Sequence, residues 1–349
     1  MDLVEIRLEL KALNHGIIRP QYITGLHGWF LNEVRQSDPE LSQYLHDGQS
    51  EKPFTISRFN GLELNTSERI QISTDQSYSF KITGLNSSVV KWLQEWVNNS
   101  PNIIKQKTVS WEILSNRITH PPITYQSLLE TPIEETLTLT FTSPSSFRRK
   151  KHHFPLPLPF NVFQSYLRRW NDFSNAPVDA ESFLQWVDNH VIILRHQLQT
   201  LKVTGGKKGM VTGFIGGVEY GLSTQGRKHQ DFTQLFFALG QLAPYCGTGH
   251  KTPFGLGQTR NGWFPNKNIK ESIKTGISIS KRIEELTNQL MSFQKRKGGQ
   301  RAFKVCQTRA TILARQEQGE SLKDIAEDMK ISYETVKTYA KLARKLLNN

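Results

Sequence analysis

ETLTLTFTSP, residues Glu135–Pro144, alternates polar and apolar side chains, which marks a strand buried on one face. The elements that follow it repeat the order of those that precede it. Upstream, Asp2–Leu10 (DLVEIRLEL) alternates in the same way. After Pro20, YITGLHGWFLNEVRQ (Tyr22–Gln36) has its apolar residues at helical spacing. Pro39 then opens a second short helix, ELSQYLH, that Asp47 and Gly48 stop. PFTISRF and YSFKITGL read as strands, VVKWLQEWV as a helix and VSWEILSNRI as a strand. That order is β–α–β–β–α–β, a ferredoxin-like unit.

Downstream, a basic loop and proline ladder run from Phe147 to Pro159, and helices are expected over residues 160–171 and 179–197. QTLKVTGG and MVTGFIGGVEYGL then read as a strand pair, Phe232–Leu242 as an apolar helix, and FGLGQTRNGWF as a closing strand. The second unit repeats the fold of the first and not its sequence. Beyond Pro265, ISISKRIEELTNQLMSFQKRK is a charged helix broken at Gly298 and Gly299. SLKDIAEDM and YETVKTYAKLARK then form two helices around a turn at Lys330–Ser332. Ile325, Ala326, Ile331 and Val336 make their contacts, with helix-turn-helix spacing. The expected class is α+β: tandem ferredoxin-like (RRM-like) domains over 1–123 and 124–265, a helical linker over 266–299, and a small all-α helix-turn-helix-like tail over 300–349.

The 349 residues carry a formal net charge of +13, and the charge is clustered rather than spread. A chain this basic points to a polyanion, nucleic acid first. Cys246 and Cys306 are too isolated for a disulfide framework or a paired zinc site, and they suit a reducing cytoplasm. None of the ten histidines sits in an HExxH or beside a CxxC, so neither metal nor cofactor is expected. MDLVEIRLELKAL does not read as a signal peptide, and no run reaches the length of a membrane span. The expectation is a cytoplasmic protein without a membrane partner.

The most distinctive chemistry lies in GTGHKTPFGLGQT, Gly247–Thr259. Gly247, Gly249, Gly255 and Gly257 would let the backbone approach a phosphate and aim its N–H groups at it. His250, Lys251 and Arg260 add positive charge. The segment is not a Walker P-loop, because it holds no GxxxxGK(S/T), and not a dinucleotide fingerprint, because it leaves a helix rather than opening one. Arg148, Arg149, Lys150 and Lys151, extended by His152 and His153, favour RNA contact beside an aromatic- and proline-rich stretch. Lys207 and Lys208 in GGKKG read as a hairpin tip, either a backbone contact or a soluble turn.

GTGHKTPFGLGQT resembles the C-terminal glycine-rich signature of the CRISPR repeat-processing endoribonucleases, a branch of the repeat-associated mysterious protein (RAMP) superfamily. YITGLHGWFLNEVRQSDPELSQYLHDGQSEKPFTIS and LTFTSPSSFRRKKHHFPLPLPFNVFQSYLRRWN resemble the family's N-terminal and central stretches, so the resemblance covers about residues 1–265. It implies metal-independent cutting of CRISPR precursor RNA: the 2′-hydroxyl attacks the adjacent phosphate, leaving 2′,3′-cyclic phosphate and 5′-hydroxyl ends. Such chemistry needs a base, an acid and a cation for the phosphorane charge. The family's histidine falls on His46 and its lysine on Lys52, while its tyrosine position falls on Leu31, which has no acid–base chemistry. His27, one helical turn earlier, is the expected replacement. His46 closes a helix, where a cation is favoured, which suits a general acid.

The implied partners are CRISPR precursor RNA, mature crRNA and other subunits of a CRISPR effector complex. The tail resembles DNA-binding modules of bacterial regulators and sigma factors, and contact with DNA or with protein both stay open for it. Two other readings stand beside cleavage: a non-cleaving guide-RNA-binding subunit of an effector complex, and a helix-turn-helix DNA-binding regulator.

Overall fold

The computed structural model describes residues 1–46, 51–62, 69–106, 108–150, 152–205, 209–264, 282–293, 300–317 and 320–347. The chain divides into two compact units, Met1–Asn266 and Lys267–Asn349. Among the described residues no helix is long and apolar enough to cross a membrane.

The first unit opens with β1 (Leu3–Ala12), in which Val4, Ile6, Leu8 and Leu10 are fully buried on one face. A short ladder pairs β2 (Gly16–Ile18) with β4 (Ile70–Ile72). Helix α1 (Tyr22–Ser37) turns Ile23, Leu26, Phe30 and Val34 inward at helical spacing. Asp38 starts α2 (Pro39–His46) by accepting the Leu41 amide at 2.9 Å. Strands β3 (Phe54–Ile56) and β5 (Ser77–Gly84) follow, then α3 (Ser87–Asn98), capped by Asn86, and finally β6 (Ile103–Lys105) and β7 (Ser110–Ile123). The sheet order is β3-β5-β1-β7-β6, all antiparallel. Without the extra edge strand β6, this is the ferredoxin-like order.

Strand β7 runs past the expected Ile118 through Pro121 and Pro122. Its pairing with β1 is irregular there, and β6 pairs only with residues 110–112, so the prolines remove no ladder bond on that side.

The order recurs. After the short helix α4 (Tyr125–Leu129), strand β8 (Thr136–Ser145) leads through a hairpin of β9 (Phe147–Arg149) and β10 (His152–Phe154) to helices α5 (Pro159–Phe173) and α6 (Ala180–His190). Next come β11 (Val191–Thr204), β12 (Met210–Leu222), α7 (Gln230–Cys246) and β13 (Thr259–Asn261), with sheet order β11-β12-β8-β13. Leu137, Leu139 and Phe141 of β8 share a core with Phe163 and Tyr166 of α5 and Phe236 and Leu239 of α7.

Three expectations are corrected here. The helix expected over 179–197 ends at His190, because Val191, Ile192 and Ile193 are β-branched and pair along β12. The basic loop is a hairpin turning at Lys150, whose φ is +56°. The closing strand shrinks to Thr259–Asn261, because the glycines before it are folded into a loop. Lys151, Lys207 and Lys208 lie outside the described residues, as do Asp47 and Gly48.

In the second unit, helix α8 (282–292) precedes α9 (Gln300–Glu317), α10 (Leu322–Met329) and α11 (Tyr333–Leu347). Leu286 and Leu290 of α8 pack with Cys306, Ala310 and Leu313 of α9 and Ala343 of α11. Ile325 and Ala326 of α10 pack with Val336 and Ala340 of α11 and Ile312 of α9. Ser321 caps α10, and Lys330 ends it in the left-handed conformation, so the turn falls where the sequence puts it.

Candidate functional site

The glycine-rich loop leaves α7 and folds back on itself before β13. Gly247, Gly249, Gly255 and Gly257 all have φ between +66° and +82°. A Cβ on Gly249 would stand 2.2 Å from the Ser146 carbonyl oxygen, and one on Gly257 would stand 2.1 Å from that of Thr248. Glycine is required here for close packing of the loop on its own fold.

The amides confirm that inward bias. Thr248 N–H donates to Gly257 O (2.7 Å), Gly249 N–H to Ser165 Oγ (2.8 Å), His250 N–H to Ser146 O (3.1 Å) and Gly257 N–H to Pro144 O (3.0 Å). These groups are used inside the fold and do not form the phosphate cradle expected of them. The hydroxyls of Tyr166, Thr248 and Thr259 form a buried chain beneath the loop, at 2.6 and 2.7 Å.

His250 is likewise a latch. Its Nδ1–H donates to Ser146 O at 2.8 Å, and its ring stacks on His153 of β10 with centroids 5.4 Å apart. Burial, against the Ser146 hydrogen bond and helped by the nearby cations Arg148 and Lys251, depresses its pKa to about 4. His250 is therefore neutral near pH 7, which corrects its expected role as a positive charge. Lys251 donates from Nζ to Gly205 O, and burial followed by the Arg148 charge lowers its pKa. Arg148, Arg149 and Lys150 remain exposed on the hairpin that the His153–His250 stack joins to the loop. Arg260, on β13, is exposed and lies over the Phe264 ring, 5.4 Å from its centroid.

A residue absent from the sequence reading organises this region. Arg169 of α5 is only 3% exposed. Its Nη1 donates to the Ser165 carbonyl and hydroxyl and its Nη2 to Gly249 O, each at 2.8 Å. Nη2 also lies 3.4 Å from Glu51 Oε2, and Arg168 Nε lies 3.2 Å from Glu51 Oε1. The Glu51 amide donates to Asp172 at 3.1 Å. Helix α5 thus fastens both the glycine-rich loop and the segment that carries Lys52. The available signal was an arginine on the apolar stripe of a helix, between Tyr166 and Trp170.

Lys52, Arg168, Arg169, Lys251 and Phe254 line one cleft of about 560 Å³. Lys52 Nζ donates to the Leu45 carbonyl at 2.9 Å, one residue before His46. His46 is exposed at the end of α2 and does not line the cleft. The His27 ring stacks on Phe254, with centroids 4.3 Å apart and planes 15° apart, and tilts against Phe54. Leu31 is buried in the core that also holds Phe30, Val34 and Phe54. The structure therefore joins His27 to the glycine-rich loop through Phe254, and Lys52 to the end of α2 through a carbonyl. Among the described residues no three His, Cys, Asp or Glu side chains group as a metal ligand set.

Comparison with known proteins agrees with this architecture. The family model for the CRISPR-associated endoribonuclease Cas6 matches residues 139–259, and that for the Cas6 N-terminal domain matches residues 6–110. The model for sigma-70 region 4 matches residues 307–347. A solved Cas6 product complex is 26% identical, covering 75% of this chain and 100% of that one, with a TM-score of 0.60. Cas6 of Thermus thermophilus is 23% identical, covering 75% and 98%, at 0.57. A Cas6-related protein of Pyrococcus furiosus is 15% identical, covering 74% and 98%, at 0.52. The last two show the fold alone. Among curated proteins none matches the chain.

Proposed function

The chain belongs to the Cas6 family of CRISPR repeat-processing endoribonucleases, which both of its domain matches carry, and from that premise we propose that it cuts CRISPR precursor RNA within the repeat by attack of the substrate's own 2′-hydroxyl. In this reading His27 takes the proton of the 2′-hydroxyl as its oxygen attacks phosphorus. The bond from phosphorus to the 5′-oxygen breaks, and that oxygen takes a proton from His46. The Lys52 ammonium offsets the charge that develops on the non-bridging oxygens. No water is consumed, and the ends are a 2′,3′-cyclic phosphate and a 5′-hydroxyl.

The supporting observation is the Arg169–Glu51 clamp. It holds the Lys52 segment against the glycine-rich loop, with Lys52 Nζ on the carbonyl next to His46. Fixing a cation and a proton donor in one small region is what a transesterification site needs. The glycine-rich loop then acts as a rigid seat. The exposed Arg148, Arg149 and Lys150, with Lys251 and Arg260, supply the sequence-independent hold on the RNA backbone.

The test is incubation of the full chain with end-labelled repeat RNA in EDTA. One cut with a cyclic-phosphate end supports the proposal. Binding without cutting favours a guide-RNA-holding subunit, and absence of RNA binding favours a DNA-directed regulator.

A further inference from the structure

A cavity of about 780 Å³ in the first unit shares no lining residue with the cleft of Lys52. We infer that it binds one nucleoside monophosphate unit, with the base on its apolar floor and the phosphate at its basic rim.

Three short stretches of chain shape the cavity. Strands β2 and β4 form a ladder of their own rather than joining the five-stranded sheet. Helix α1 starts two residues after that ladder's Arg19, and the end of β6 closes the remaining side. Ile17, Ile18 and Tyr22 supply the apolar floor. Tyr22 is held in place, because its ring stacks on Phe59 with centroids 4.9 Å apart and its hydroxyl accepts the Phe59 amide at 3.0 Å. Gly25 keeps the helix wall open, since a Cβ there would meet nothing within 4 Å.

The charge around the floor has one sign. Arg19, Arg69 and Lys105 line the cavity and are exposed, and no carboxylate lines it among the described residues. Three cations converging without an acid suit a phosphate group. Two polar atoms of the wall add a second demand. Thr24 Oγ1 and Gln106 Nε2 are buried and have no hydrogen-bond partner. A hydroxyl both donates and accepts, and an amide nitrogen donates. Buried groups of this kind are normally satisfied, so a ligand with a polar edge supplies what the fold does not.

These demands select the ligand class. Inorganic phosphate answers the cations and leaves the floor bare. A fatty acid covers the floor and leaves Thr24 and Gln106 unmatched. A base carrying a phosphate meets all three features, and the volume falls within the roughly 300–1,000 Å³ of small-molecule sites. The unit can arrive as a free mononucleotide or as one nucleotide of an RNA strand, with the same chemistry in both cases. Thr24 precedes His27 by three residues on α1, so the site lies about one helical turn from His27.

The experiment is calorimetric titration of the full chain with AMP, GMP, CMP and UMP, and with inorganic phosphate and the four nucleosides as controls. At least one nucleotide is expected to bind with Kd of about 1 mM or lower, and at least ~10-fold more tightly than phosphate or its own nucleoside. Gly25→Leu fills the cavity without changing charge and weakens that binding about 10-fold or more. Arg19→Ala with Lys105→Ala weakens it to a similar degree, and circular dichroism shows both variants folded. Repeat RNA then identifies the source. If the strand supplies the nucleotide, the mononucleotide displaces the RNA and Gly25→Leu weakens RNA binding as well. If a free nucleotide is the ligand, the two bind together and Gly25→Leu leaves RNA affinity at the parental value. Nucleotides held no tighter than phosphate or nucleoside, or held by the Gly25 variant as by the parent, overturn the inference.

Discussion

Replacing Arg169 by methionine removes the cation that ties α5 to the glycine-rich loop while nearly preserving side-chain volume. The guanidinium makes three hydrogen bonds of 2.8 Å and lies 3.4 Å from Glu51. Ser165 Oγ keeps the Gly249 amide as a partner, but the Gly249 carbonyl loses its Arg169 donor. An orphaned buried acceptor costs about 1–3 kcal/mol, and hydrogen bonds to a charged group carry about 1.5–3 kcal/mol each. Glu51 keeps Arg168, so its loss is small. The net is about 3 kcal/mol, at the lower end of what breaking a buried ion pair costs. For a unit of this size that corresponds to a fall in Tm of roughly 6–12 °C. Thermal unfolding followed by circular dichroism measures it, with Arg168→Met as the control. Arg168 is 53% exposed, so its pair with Glu51 is worth about 1 kcal/mol at most. If Arg169→Met melts within about 2 °C of the parent, or no lower than the Arg168 variant, the clamp does not hold the loop.

The remaining expectations follow from the same geometry. Gly249→Ala puts a Cβ 2.2 Å from a backbone oxygen at φ +82° and is expected to cost roughly 2 kcal/mol or more. Gly25→Ala on α1, where nothing lies within 4 Å, is expected to stabilise by about 0.5–1 kcal/mol; denaturant midpoints compare the two. Burial opposes ionisation of Glu5, yet hydrogen bonds from His120, Lys81 and Thr119 and the Lys81 charge outweigh it and hold the carboxyl down at about 2. Because the folded value lies below the ordinary 4.5, this stability is fully present above pH ~4.5 and fades as pH falls towards ~2. Unfolding free energy measured against pH loses roughly 3 kcal/mol from this group, and Glu5→Gln flattens that part of the curve. Arg148→Ala with Arg149→Ala lowers the log–log salt slope of repeat RNA binding by about 1.4; an unchanged slope removes the hairpin from the RNA surface.

Both ferredoxin-like units were legible because strand alternation and helical spacing are local signals, as in Val4–Leu10 and Glu135–Phe141. The helix-turn-helix was legible for the same reason, from Ile325, Ala326 and Val336. The end of α6 was not, since Val191–Ile193 become strand only through pairing with β12, a partner distant in sequence. The glycine-rich loop could be found but its physics could not. Gly249 meets the backbone of Ser146, between β8 and β9, and Gly257 that of Thr248 in the loop itself, so the amides that would face a phosphate turn inward. His250 looks cationic in sequence and is neutral in the fold because of its burial. Arg169 and Glu51 were missed because they are 118 positions apart and meet only when α5 packs beside the Lys52 segment.

The central claim is that the end of α2 carries the chemical step, with the glycine-rich loop serving as its seat. Single-turnover cleavage of repeat RNA by His46→Ala, with RNA affinity measured on the same protein, tests it directly. The account predicts a rate at least ~100-fold lower with affinity close to the parent's. Cleavage at the parental rate contradicts it.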